Sequence, residues 1–136
     1  MSDFERIVAL WEAAGLSHKP NGRDTREAFA RQLKSGLQTA IGVENEAGEL
    51  VGVVLTTHDG RKGWINRLAV HPDYRRQGIA RSLVAAAEER LREQGIEIFA
   101  AMVEPDNDES AALFAAAGYA DWPGMHYFSK RDRPDI

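Results

Sequence analysis

The stretch Val70-His71-Pro72-Asp73-Tyr74-Arg75-Arg76-Gln77-Gly78-Ile79-Ala80-Arg81-Ser82-Leu83 sets an arginine-rich loop between an apolar run and the start of an amphipathic one. Gly78 and Ala80 carry almost no side chain, so an anion can come close to the backbone there. A helix beginning near Ile79 presents unpaired N–H groups and its positive dipole end to the same spot. Arg75, Arg76 and Arg81 surround the turn with positive charge. These residues point to a phosphorylated small molecule held at a helix N-terminus. The competing reading is a solvated basic turn, since a short Gly-bearing loop alone names no ligand.

Such a cradle needs a strand before it and a packed helix after it, and the flanking pattern supplies both. Trp64 to His71 reads as a strand, entered through the Asp59-Gly60 turn signal. Ile79, Leu83, Val84, Ala87 and Leu91 fall on one face of a helix that stops at Gly95, with Glu88, Glu89, Arg92 and Glu93 mostly on its wet side. Upstream, Phe4, Ile7, Val8 and Trp11 define a first helix ending near Gly15, and Leu16 to Arg23 reads as a loop. Asp24-x-x-Glu27 resembles a capping box for a second helix with Ala28, Phe29 and Leu33 inward and Gly36 as its stop. Leu37 to Val43 and Glu49 to His58 read as strands joined at Asn45-Glu46-Ala47-Gly48. Downstream, Ile96 to Val103 predicts a buried strand, Asn107 to Ala117 a helix, and Tyr119 to Trp122 with Met125 to Lys130 a hairpin turned at Pro123-Gly124. The fold class is α/β, in the α+β sense of a mixed sheet with helices on its faces.

Composition narrows the function classes. The 136 residues suit a single domain spanning 1–136, and 43% apolar content supports a real core. A net charge of −4 argues against nucleic acid as a partner, which requires a basic face. No run of about 18 apolar residues offers a membrane span. The start Met1-Ser2-Asp3-Phe4-Glu5-Arg6 has no leader pattern, so a cytoplasmic location is expected. With no cysteine there is no disulfide, thiolate metal site or cysteine nucleophile, and no metal site is expected.

The loop wording is more specific than a generic anion site. Arg75-x-x-Gly78-x-Ala80 resembles the pyrophosphate-binding signature of the GNAT superfamily of N-acetyltransferases, and Leu68-Ala69-Val70-His71-Pro72 looks like that family's acyl-CoA strand and its exit. Downstream, Asn107, Leu113, Phe114, Gly118 and Tyr119 fall at the spacing of the family's second motif, with Ser110 in place of Ala and Phe114 in place of Tyr. The resemblance covers roughly Ile7 to Lys130 and is nearest to the short bacterial YpeA-like group. One departure is the opening: the family begins with a strand, whereas this chain begins almost at a helix. Either that strand is absent or a partner supplies the sheet edge, an arrangement a homodimer would satisfy.

The resemblance implies an acetyl-CoA-dependent N-acetyltransferase that moves an acetyl group to a primary amine by direct attack in a ternary complex. An alternative on the same fold is a non-catalytic acyl-CoA-binding or regulatory module, which Phe114 motivates. The resemblance assigns coenzyme contacts to Leu68, Ala69, Val70, Arg75, Arg76, Gln77, Gly78, Ile79, Ala80, Arg81, Asn107 and Phe114. Bland roles compete at several of these: core packing for Leu68, Val70 and Phe114, helix capping for Asn107, and exposure to water for Arg81. Acetyl transfer needs a neutral amine, a donor for the carbonyl oxygen and a proton for the thiolate. The candidate catalytic groups are Glu104, His126 and Tyr127. His58 and His71 are further candidate bases, and Tyr119 or water a further acid, because Phe114 has no proton to give. The acceptor itself is not legible.

Overall fold

A computed structural model describes residues 1–136. Its elements are α1 (Asp3–Ala13), α2 (Arg26–Lys34), β1 (Gln38–Glu44), β2 (Leu50–His58), β3 (Gly63–Val70), α3 (Ile79–Glu93), β4 (Phe99–Ala100) and α4 (Asp108–Ala116). A short 3-10 turn, Pro72–Tyr74, joins β3 to α3. The strands form one sheet in the order β1-β2-β3-β4, antiparallel except for the parallel β3–β4 pair. The mixed-sheet fold class read from the sequence is therefore present.

The sheet is buried on both faces. Ile7, Leu10, Trp11 and Phe29 of α1 and α2 pack on Val53, Leu55 and Ala69. Across the sheet, Leu83, Val84, Ala87 and Leu91 of α3 pack with Val54, Ile65, Ile96 and Phe114 of α4. This explains why β2 reads as a nearly continuous apolar run rather than an alternating one. Gly52 sets how closely α3 approaches: a Cβ there would stand 2.8 Å from Ile79 Cγ2 and 3.1 Å from Leu83 Cδ1. The first turn of α3 is thereby held tight against β2.

Several expectations need correction. The cap of α2 is Thr25, whose side chain accepts the Ala28 N–H, not Asp24. The Asp24 carboxylate instead accepts the Lys19 N–H at 2.5 Å and closes the preceding loop. Leu33, expected inward, is 37% exposed, because this nine-residue helix buries only Ala28 and Phe29. The strand expected over 96–103 pairs only at Phe99–Ala100. The final hairpin does not form. Its turn exists, with Met125 N–H donating to the Trp122 carbonyl at 3.2 Å, but no strand flanks it. A two-residue β4 offers almost no ladder for another strand to join, and Trp122, Met125, Tyr127 and Phe128 all stay exposed.

Candidate functional site

The loop between β3 and α3 is a row of uncommitted backbone donors. No turn or loop hydrogen bond uses the N–H of Arg75, Arg76, Gln77 or Gly78. The first bond of α3 is Ser82 N–H to the Gly78 carbonyl at 3.0 Å, so Ile79, Ala80 and Arg81 also lack an acceptor. The helix has no side-chain cap. Arg76 (φ 65°) and Gly78 (φ 80°) both take the left-handed conformation, and such turns gather successive N–H groups into an anion-binding concavity. Nothing lies within 4 Å of the position a Gly78 Cβ would occupy, so the concavity is open. These features fit a diphosphate, and thus the coenzyme the family motif implies.

The arginine side chains divide their roles. Arg75 Nη2 donates to the Ala14 carbonyl at 3.5 Å, at the end of α1. Arg81 Nη2 donates to the Ala116 carbonyl at 3.5 Å, at the end of α4. Both therefore tie the loop to helix C-termini, where cations are favoured. Arg76 and Gln77 are exposed and make no side-chain bond, which leaves Arg76 as the free cation of the cradle.

The cradle follows β3, whose C-terminal part has no partner on the β4 side. β3 and β4 pair only at Gly63–Phe99 and Trp64–Ala100, after which the two segments part. His71 N–H donates to the Val51 carbonyl on β2 at 2.8 Å, so by strand alternation the Val70 N–H points away from β2, into the gap. Leu68 packs its side chain in the core, and Ala69 is buried on the opposite face. Following the β3–β4 register forward from Trp64 and Ala100, with β3 carrying one extra residue opposite Val54, places Glu104 opposite the Leu68–Ala69 part of the strand. Glu104 is exposed and its carboxylate has no partner.

The other named residues take the following places. Asn107 caps α4, its Oδ1 accepting the Ser110 N–H at 3.1 Å. Phe114 is 9% exposed, with its ring 5.1 Å from that of Tyr119 in an edge-on contact. His58 Nδ1 accepts the Gly60 N–H and His71 Nδ1 accepts the Asp73 N–H, both at 3.1 Å, so each imidazole is spent on a turn. Tyr119 donates its phenol proton to Glu88 at 2.7 Å, and burial followed by that bond raises its pKa above the ordinary value. It is therefore a poor acid for a thiolate. His126 and Tyr127 lie on the exposed 120–130 segment without a side-chain hydrogen bond. A separate surface groove of about 630 Å³, between α1 and the β1–β2 turn, shares only His71 with the cradle motif.

One residue pair escaped the sequence reading. β3 bulges opposite Val54, because Val53 pairs with Ala69 while Leu55 pairs with Asn66. Arg67 occupies that bulge at φ 55° and lays its guanidinium over Trp11, 4.2 Å from the ring centroid. The available signal was Arg67 as the one charged residue within β3.

The comparisons agree with this geometry. The family model described as Acetyltransferase (GNAT) family matches residues 5–119. An acetyltransferase of Sodalis glossinidius is 34% identical over 129 residues, covering 95% of this chain and 89% of its own. One of Pectobacterium atrosepticum is 33% identical, covering 86% of this chain and 81% of its own. Among solved structures, the aminoglycoside acetyltransferase AAC(6')-Iy bound to a coenzyme A bisubstrate analogue superposes with a TM-score of 0.78 at 18% identity, over 94% of this chain and 91% of that one. With its cradle, split sheet and these matches taken together, the chain belongs to the GNAT family of N-acetyltransferases.

Proposed function

We propose that this protein binds acetyl-CoA and moves its acetyl group to a primary amine by direct attack, without a covalent enzyme intermediate. The observation that carries the reading is the run of free N–H groups from Arg75 to Arg81, adjoining a strand edge left open beside Leu68–Val70. A diphosphate on those amides directs the rest of an acyl-CoA along that edge. The Val70 N–H then donates to the acetyl carbonyl, where negative charge develops as the amine attacks.

The amine must lose a proton before it attacks. Glu104, unpaired and opposite Leu68–Ala69 across the gap, is the group proposed to take it, directly or through water. The departing thiolate has a pKa near that of a cysteine, about 8.5, so a proton from solvent suffices. That relieves the need for a phenol at Phe114. The acidic stretch Glu104–Glu109 favours approach of a cationic amine.

The test pairs calorimetry of acetyl-CoA with release of free coenzyme A in the presence of an amine panel. Gly78→Glu places bulk and negative charge in the cradle and is expected to reduce coenzyme affinity at least a hundredfold. Gly78→Asn, which tolerates the left-handed conformation, controls for backbone strain and should retain the fold and most of the affinity. Equal affinity in Gly78→Glu and wild type would remove the loop from the mechanism. Tight binding with no release on any amine would favour the non-catalytic module.

A further inference from the structure

The buried side-chain polar atoms that find no hydrogen-bond partner in the protein are Trp11 Nε1, Thr56 Oγ1, Arg67 Nε, Arg67 Nη2 and Gln94 Oε1. Native interiors pair nearly all such atoms, so each exception needs a reason. Three of these atoms, all obligate donors, belong to the single Arg67–Trp11 contact. The bulge that creates the contact also costs energy, since a left-handed arginine is disfavoured and such strain gathers at functional positions.

The surroundings of Arg67 do not neutralise it. The facing charges are Asp24, which is attractive, and Arg23, which is repulsive. Asp24 spends its carboxylate on the Lys19 N–H, and no carboxylate comes within ion-pair distance of Arg67. Burial lowers the Arg67 pKa from its ordinary value, with Asp24 opposing that shift. The remaining nitrogen, Nη1, has no partner either and lies outside the buried set. Arg67 also immediately precedes Leu68–Val70, the strand edge along which acyl transfer is placed.

We propose that Arg67, with the Trp11 Nε1–H beside it, binds a carboxylate on the acceptor, making the acceptor an amine that also carries a carboxylate. The proposal rests on the acetyltransferase reading for the identity of that acceptor. A carboxylate is acceptor-only and planar, and its two oxygens match the Nε–Nη2 fork of a guanidinium. A single negative charge balances the one uncompensated cation, whereas a dianion would meet Asp24 in a chain of net charge −4. The ligand reaches the fork by displacing the 16–24 loop. That loop meets the Trp11 ring through His18, whose ring centroid is 6.3 Å away, and it carries the Arg23 and Asp24 charges that face Arg67. The zwitterion then spans the gap, with its amine toward Glu104 and its carboxylate on Arg67.

The test is a set of matched titrations into the coenzyme A-loaded protein, using N-acetyl amino acids against the corresponding N-acetyl amino-acid amides. Wild type is expected to prefer the carboxylate in at least one pair by about tenfold or more. Arg67→Gln should erase that preference, and Arg67→Lys should keep part of it, with coenzyme A affinity unchanged in both. Equal binding of acid and amide by wild type throughout, or no binding of either, overturns the proposal, and so does a preference that survives in Arg67→Gln. The wild-type comparison stands even where a variant fails to fold. Coenzyme A release on the parent amino acids and on their decarboxylated amines separates the two readings. Carboxylate preference without any acetyl transfer would contradict the reaction and leave the Arg67 site. Transfer to amines regardless of carboxylate would contradict the Arg67 site and leave the reaction.

Discussion

At the scale of single residues, hydrogen bonding decides which side chains are free for chemistry. Tyr119 is held by Glu88 at 2.7 Å, and Glu88 in turn lies 3.7 Å from Arg92. Because the folded pKa of Tyr119 is raised above its ordinary 10.0, the associated stabilisation is fully present below about pH 10 and is lost as pH rises through the folded value. Tyr119→Phe should therefore cost about 1 kcal/mol at neutral pH and leave kcat unchanged. In thermal melts its deficit against wild type should shrink at strongly alkaline pH, and a deficit constant across pH would refute the assignment. His58 and His71 illustrate the same selection, since each accepts a turn N–H on its Nδ1. Sequence types alone list such residues as candidate bases. Only their local partners take them out.

At the scale of elements, the site depends on where α3 starts and how closely it sits on β2. Gly52 admits that approach. Gly52→Ala would force Ile79 and Leu83 to yield, for about 1–3 kcal/mol of overpacking. Denaturant unfolding should show the lower midpoint, and KM for acetyl-CoA should rise more than kcat falls, because Ile79 opens the helix whose N-terminus forms the cradle. Equal KM values would separate helix seating from coenzyme binding. Legibility also varies by element. The bounds of α1, α3 and α4, the three antiparallel strands and the cradle motif follow from local periodicity, caps and turn residues, which act within a few positions of one another. The length of β4, the unformed final hairpin and the bulge at Arg67 depend on partners distant in sequence. The apolar run 96–103 looks alike whether it pairs over eight residues or two. The Thr25 cap was missed because Asp24, an equally good capping type, is drawn off by Lys19.

At the scale of the whole molecule, the sheet carries two cores and leaves one opening, the divergence of β3 and β4. The free donors of Arg75–Arg81 follow the C-terminal end of β3, Glu104 lies unpaired on the segment leaving β4, and Arg67 sits at the bulge of β3. No helix is long and apolar enough to cross a membrane. The central claim is that the diphosphate of the coenzyme docks on main-chain amides, and amide-resolved NMR of the uniformly nitrogen-15-labelled protein during a coenzyme A titration addresses it most directly. The predicted result is that the largest shift changes fall on the N–H resonances of Arg76 to Arg81 and saturate together, with pantetheine, which lacks the diphosphate, leaving them in place. Saturable binding that moves other amides while Arg76 to Arg81 stay fixed would contradict it.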